Sequence, residues 1–185
     1  FWSIAFALSA QILFQKERPR TSQWLLLALT WGLGYLAKQM MMFQPLLFIF
    51  AAAACRRELL KKPTSYLAIA ASFLALTPPM IWNAQNDWVT FTHTAHHFES
   101  ASDPFFQRCG DFLGAVIGGI TTPITGVMMM VSILCCLKTP RRMDKAERFF
   151  FLYGALGLIG ISLLLLRQEL NPNWPAVYFI GAFAL

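Results

Sequence analysis

The sequence predicts an all-α, polytopic transmembrane helix bundle. Three observations carry that expectation. Charged residues make up 13% of the 185 positions against 57% hydrophobic, with 17 Phe and 6 Trp, whereas a soluble domain carries about 25% charged residues. The apolar residues gather into runs of the length that crosses a bilayer. The net charge of +6 sits in short bursts between those runs. This composition excludes a disordered chain and leaves too little polar surface for a conventional soluble enzyme. A nucleic-acid interface would need the basic charge clustered on one face of a folded domain, and the bursts do not provide it.

The elements follow in order. Helices are expected at about 1–14, 24–37, 40–54, 66–82, 112–137, 149–166 and 175–185. A spanning helix needs about 20 residues, so 66–82 and 149–166 each fit one crossing. The run 112–137 is longer, and Gly118-Gly119 and Pro123 mark where it kinks or breaks. The run 24–54 would span about 46 Å as one helix, well beyond a hydrocarbon core of about 30 Å. Lys38-Gln39 lies at its middle and Pro45 just after, which predicts two helices joined by a turn near Lys38. The sequence opens and closes inside apolar runs, with no basic leader or small-residue cleavage site. It is therefore expected to be a fragment of a longer membrane protein, all of it part of one transmembrane domain.

Charge placement tests the hairpin. The segments 15–23, 55–63 and 138–148 hold 12 basic and 4 acidic residues, while 83–111 and 167–174 hold 2 basic and 5 acidic. Cytoplasmic loops collect Lys and Arg, so the first three are expected inside and the last two outside. The parity closes only if 24–54 is a hairpin, since a single crossing would put 15–23 and 55–63 on opposite sides. The excess positive charge is thus an orientation signal.

Candidate site residues lie at the hairpin tip and in the two outer loops. Lys38 is the single charge in the apolar segments, and an ionisable residue at membrane depth is a functional hypothesis by default. At an outer turn its ammonium faces an anion, of which a lipid phosphate is the obvious one at that depth; the alternative is a lysine snorkelling to headgroups. The loop 83–111 carries Asn83, Asn86, Asp87, all three His (His93, His96, His97), Glu99 and Asp103. Histidine serves as acid, base or phosphate contact; the alternative is a polar lid held by its own hydrogen bonds. The H-x-x-H-H spacing is not a zincin pattern, no cysteine spacing suits zinc, and no metal ligands or other cofactor are identified, although a divalent metal stays open. In 167–174, Arg167 can clamp a phosphate bidentately, and Asn173 with Trp174 suits a sugar's hydroxyls and C–H faces; the alternative is a turn fixed by the Asn-Pro and Trp-Pro pairs. No phosphate-binding loop, dinucleotide fingerprint or serine-hydrolase motif is present, and the absence of mid-helix carboxylates argues against an ion-coupled transporter.

At these residues the sequence resembles a known family. Gly34-Tyr35-Leu36-Ala37-Lys38 followed by Pro45 and a basic loop, Pro78-Pro79-Met80-Ile81-Trp82-Asn83 followed by Phe91-Thr92-His93-Thr94, and Asn173-Trp174-Pro175-Ala176 are similar to the bacterial membrane glycosyltransferases of family 39. That family includes lipid A aminoarabinose transferases and protein O-mannosyltransferases of the GT-C fold. The resemblance implies transfer of a sugar from a polyprenyl-phosphate donor, by inverting displacement, to a lipid, glycan or protein acceptor on the outer face of a bacterial cytoplasmic (inner) membrane. It implies donor-phosphate contacts at Lys38 and His93, which Arg167 joins by its own chemistry, and substrate or loop-orienting roles for Asn83 and Asn173, which Trp174 joins likewise. It places the catalytic acid in a first outer loop ahead of this sequence, so no catalytic residue is assigned. The alternative function is a transporter or flippase of lipid-linked sugars.

Overall fold

The computed structural model describes residues 1–96, 103–166 and 174–185. The described residues are 84% helical with no strand among them, so the fold class is all-α. Helix α1 is Trp2–Phe14, α2 is Thr21–Ala37, and α3 is Gln39–Cys55. Then come α4 (Pro63–Gln85), α5 (Val89–His96), α6 (Phe105–Gly118), α7 (Pro123–Lys138) and α8 (Lys145–Leu166). A 3-10 turn, Pro175–Tyr178, leads into α9 (Phe179–Phe183). Among the described residues, α4 and α8 are each long and apolar enough to cross a membrane, and the bent pair α6–α7 makes a third crossing if counted as one span.

Helices α2 and α3 fold back on each other. Lys38 between them is extended (φ −156°, ψ 117°). The rings of Trp24 and Trp31 both pack on Phe48, at 5.8 and 5.7 Å. In an unbroken helix Trp24 and Phe48 would stand about 36 Å apart. The turn is tight: Met41 fills the space beside Gly34 that a side chain would need.

Helix α4 lies along α2. Gly32 admits this approach, since a Cβ there would come within 2.9 Å of the Ala75 Cβ. The Ser72 hydroxyl donates to the Ile69 carbonyl at 2.6 Å, so the Tyr35 hydroxyl donates to Ser72 across the interface, at 2.8 Å. This buried polar pair satisfies both groups where water is absent.

A second core joins α1 to the C-terminal elements. Phe6 packs against Phe149, Phe150 and Tyr153, and Trp2 meets Tyr178 edge-on at 5.2 Å. Within α8 the turn Phe151–Ala155 widens to a π-helix. There Gly154 takes the backbone of Gly181 and Ala182 against its own. Such direct backbone contact requires small residues, as it does between membrane helices generally.

The three basic segments converge at one end of the bundle. Arg56 donates from Nη1 to the carbonyls of Ile12 (2.7 Å) and Gln15 (2.8 Å), from Nη2 to that of Glu17 (3.2 Å), and from Nε to Glu58 (2.9 Å). The exposed Glu58 carboxyl is held below the usual carboxylate range by its own backbone amide and by Arg56. The Cys55 thiol lies 3.4 Å from the Lys145 carbonyl, which brings in the third segment.

The break between α6 and α7 has a local cause. The Thr121 hydroxyl turns back to the Val116 carbonyl at 2.9 Å, Thr122 caps α7 through the Thr125 N–H at 3.3 Å, and Pro123 opens α7. A capping hydroxyl followed by proline starts a new helix and cannot continue the old one.

The Gly154 crossing makes a stability prediction. Gly154→Ala forces the Cβ into backbone and is expected to cost about 3 kcal/mol, the upper range for overpacking a close-fitted site. Gly160→Ala on the same helix meets no atom within 4 Å and should be neutral or slightly stabilising. Thermal unfolding of the two variants in the same detergent checks the difference.

Candidate functional site

The sequence-predicted site residues fall on three parts of the structure. Lys38 closes the α2–α3 hairpin, half-buried, with its N–H on the Gly34 carbonyl at 2.8 Å and its carbonyl accepting from Met41 at 2.9 Å. Asn83 and His93 belong to the corner between α4 and α5. Trp174 is partly buried against the core just ahead of α9. Arg167, Asn173, His97 and Glu99 lie outside the described residues.

Asn83 is buried, and its amide braces the α4–α5 corner. Its Nδ2 donates to the Pro79 carbonyl at 2.8 Å and its Oδ1 accepts from the Thr90 N–H at 3.1 Å. Its backbone carbonyl accepts from Asn86 and Trp88. The chain turns there through two left-handed residues, Asp87 (φ 51°) and Trp88 (φ 55°). Asp tolerates this conformation; for Trp it is strained, and strain of this kind collects where a segment must be held in place. Asn83 thereby fixes the start of α5, on which His93 sits exposed. Its amide partners are backbone atoms.

Arg108, on α6, was not singled out from the sequence. It is 9% exposed. Its Nε and Nη2 donate to the Leu165 carbonyl at 3.2 and 2.9 Å, Nη2 also reaches that of Leu166 at 3.3 Å, and Nη1 donates to the Asp103 carbonyl. One guanidinium thus caps the C-terminus of α8 and ties the 83–111 segment to the chain entering 167–174. The last helical carbonyls lack intrahelical donors, and a cation there is favoured by the helix dipole. The usable sequence signal was a lone arginine in an amphipathic stretch, Phe105-Phe106-Gln107-Arg108, of the otherwise acidic segment 83–111.

A large apolar cavity adjoins the hairpin tip. It holds about 510 Å³ between α3 and α8, lined by Met40, Phe43, Phe50, Leu156, Leu164 and Tyr178 among others. Met40 is two residues from Lys38, Leu164 is three from Arg167, and Tyr178 is four from Trp174. The cavity is of the size that takes small-molecule and lipid ligands. Among the described residues no group of three His, Cys, Asp or Glu side chains is placed to hold a metal ion.

The comparisons with known proteins complete the picture. Residues 1–82 match the dolichyl-phosphate-mannose-protein mannosyltransferase family. The match covers α1 to α3 and most of α4, including Lys38, the hairpin and the Pro78-Pro79 segment; Asn83, His93, Arg167, Asn173 and Trp174 lie beyond it. It supports a membrane glycosyltransferase of the GT-C type. No curated protein and no solved structure matches.

Two measurements probe this geometry. Arg108→Ala leaves buried carbonyls without their charged donor and is expected to weaken the α6–α8 tie by about 2–3 kcal/mol. Hydrogen exchange at 160–166 should accelerate by about a hundredfold in that variant, with Arg108→Lys intermediate. Asn83→Ala removes the side-chain acceptor of the Thr90 N–H and the tie to the Pro79 carbonyl and should loosen α5 at a cost of about 1–2 kcal/mol, read as faster exchange confined to 88–93.

Proposed function

We propose that this chain is part of an enzyme that transfers a sugar from a polyprenyl-phosphate donor to a lipid, glycan or protein acceptor on the outer face of a bacterial cytoplasmic membrane. The observation that carries the reading is the apolar cavity ending at the Lys38 turn. A prenyl-phosphate sugar is a long apolar tail joined to an anion. A cavity of about 510 Å³ without charged lining residues suits the tail, and Lys38, two residues from the lining Met40, suits the phosphate. The family match over residues 1–82 supports the same class of donor.

The chemistry follows from the charge that develops. In an inverting displacement the acceptor oxygen attacks the anomeric carbon as the bond to the phosphate oxygen breaks, and the donor leaves as a prenyl phosphate with added negative charge. A cation held at that oxygen stabilises the transition state more than the ground state. Lys38 is assigned this role, with His93 and Arg167 as further phosphate contacts. Asn83 sets the α4–α5 corner that presents His93, while Asn173 and Trp174 face the sugar or orient the loop that does. The catalytic base is not assigned to any residue of this sequence.

The test is sugar release from a prenyl-phosphate donor in membranes carrying the full-length protein. Lys38→Ala should lower kcat/KM by about a hundredfold, the scale of losing one donor to a developing oxyanion, and Lys38→Arg should recover part of it. His93→Ala should cost about tenfold, within the range for a single polar contact. Wild-type rates in both alanine variants would remove the site assignment. Donor moved across the membrane with its sugar still attached would favour a flippase.

A further inference from the structure

The basic end of the bundle holds a second cavity, of a different kind. It is an open pocket of about 330 Å³, lined by the exposed Gln11, Glu17, Arg18, Arg20 and Ser22 and the half-buried Gln15 and Gln23. Its walls are polar. Gln15 and Gln23 face each other in a reciprocal amide pair, Gln23 Nε2 to Gln15 Oε1 at 3.0 Å and Gln15 Nε2 to Gln23 Oε1 at 3.3 Å. The Gln23 oxygen also accepts the Arg20 N–H at 2.8 Å. Each amide nitrogen has a second N–H beyond this pairing. From the other side Arg56 fixes the same turn by its carbonyls at Ile12, Gln15 and Glu17. The pocket is therefore built from a braced turn, with two guanidiniums, one carboxylate and several neutral donors.

Apolar helix surface flanks it on the side away from the basic loops: Phe14 is 42% exposed, Leu25 64% and Leu26 48%, on the last turn of α1 and the first turns of α2. A charged pocket opening beside apolar helix surface is the chemistry of a phospholipid: phosphate and polar headgroup in the pocket, acyl chains along the helices. Two arginines against Glu17 leave one excess positive charge, matching a monoanionic phosphodiester. The neutral amides and Ser22 suit headgroup hydroxyls.

We propose that this pocket binds the headgroup of one anionic phospholipid, of the phosphatidylglycerol type, in the leaflet that faces the basic loops. Arg18 and Arg20 take the phosphodiester; Gln11, Gln15, Gln23 and Ser22 take the glycerol hydroxyls. The site is separate from the Lys38 cavity. It needs the membrane reading but not glycosyl transfer, so either can fail alone.

The experiment uses the full-length protein in phosphatidylcholine nanodiscs with graded phosphatidylglycerol, and native mass spectrometry to read the lipid retained. Phosphatidylglycerol should be retained in preference to phosphatidylcholine. The double variant Arg18→Gln/Arg20→Gln should weaken retention about twentyfold, and Arg18→Gln alone about fivefold, the scale of one basic residue at an anionic lipid surface. Lys61→Gln/Lys62→Gln removes the same charge from the neighbouring loop and should change retention by less than about twofold if the pocket and not the general field is responsible. The single variant keeps the test open if the double one loses its helical circular dichroism. Equal weakening by the two double variants, no preference for phosphatidylglycerol, or displacement of the lipid by free glycerol phosphate would each overturn the proposal.

Discussion

The bundle depends on what happens to carbonyl oxygens where helices end. The last four carbonyls of a helix have no donor within it, and in a bilayer there is no water to supply one. Two arginines meet this demand. Arg56 gathers three carbonyls around the end of α1, and Arg108 gathers those of Leu165 and Leu166 at the end of α8 together with that of Asp103. A guanidinium suits the task because it offers five donors in a fixed plane and stays charged in protein. Each clamp also joins elements distant in sequence. Arg56 sets α1 against the end of the α2–α3 hairpin, and Arg108 sets α6 against the end of α8. The geometry of both ends follows from those two side chains.

Between the clamps the decisive feature is the reversal at Lys38. A straight helix through 24–54 would leave its own aromatic residues without partners; the reversal instead stacks Trp24 and Trp31 on Phe48. It also moves α3 against α8, which opens the cavity lined by Phe43, Phe50 and Tyr178. The charge and the cavity are thus products of one turn. The lysine stays half-buried, extended between the end of one helix and the start of the next.

The all-α class was legible in the sequence because apolar runs of bilayer length read as helices. The overlong run 24–54 and the lysine at its centre pointed to the reversal that packs Trp24 and Trp31 on Phe48. The site was less legible. Asn83 drew notice as a polar residue at a helix end, but its partners are the Pro79 carbonyl and Thr90 N–H, and backbone partners carry no sequence signature. Arg108 looked like one more loop charge for the same reason. Helix α6 begins at Phe105, ahead of the apolar run at 112, because its first turns are amphipathic and not uniformly apolar. The contact of Gly154 with Gly181 joins residues in separate elements, and nothing in either neighbourhood announces it.

The two cavities show how one physical rule produces different sites. Each places a cation beside apolar surface, the arrangement that recognises an amphiphile with an anionic head. At the Lys38 end the apolar part lies between two helices, with Lys38 two residues from the lining Met40. Such a groove orders a long tail while leaving the head accessible, as a donor that must react and leave requires. At the basic end the polar part is a surface pocket, braced by the Gln15–Gln23 pair and Arg56, and the apolar part is the open flank of α1 and α2. One site surrounds apolar groups and the other polar ones, so the same pairing of cation and apolar surface presents opposite halves to an amphiphile.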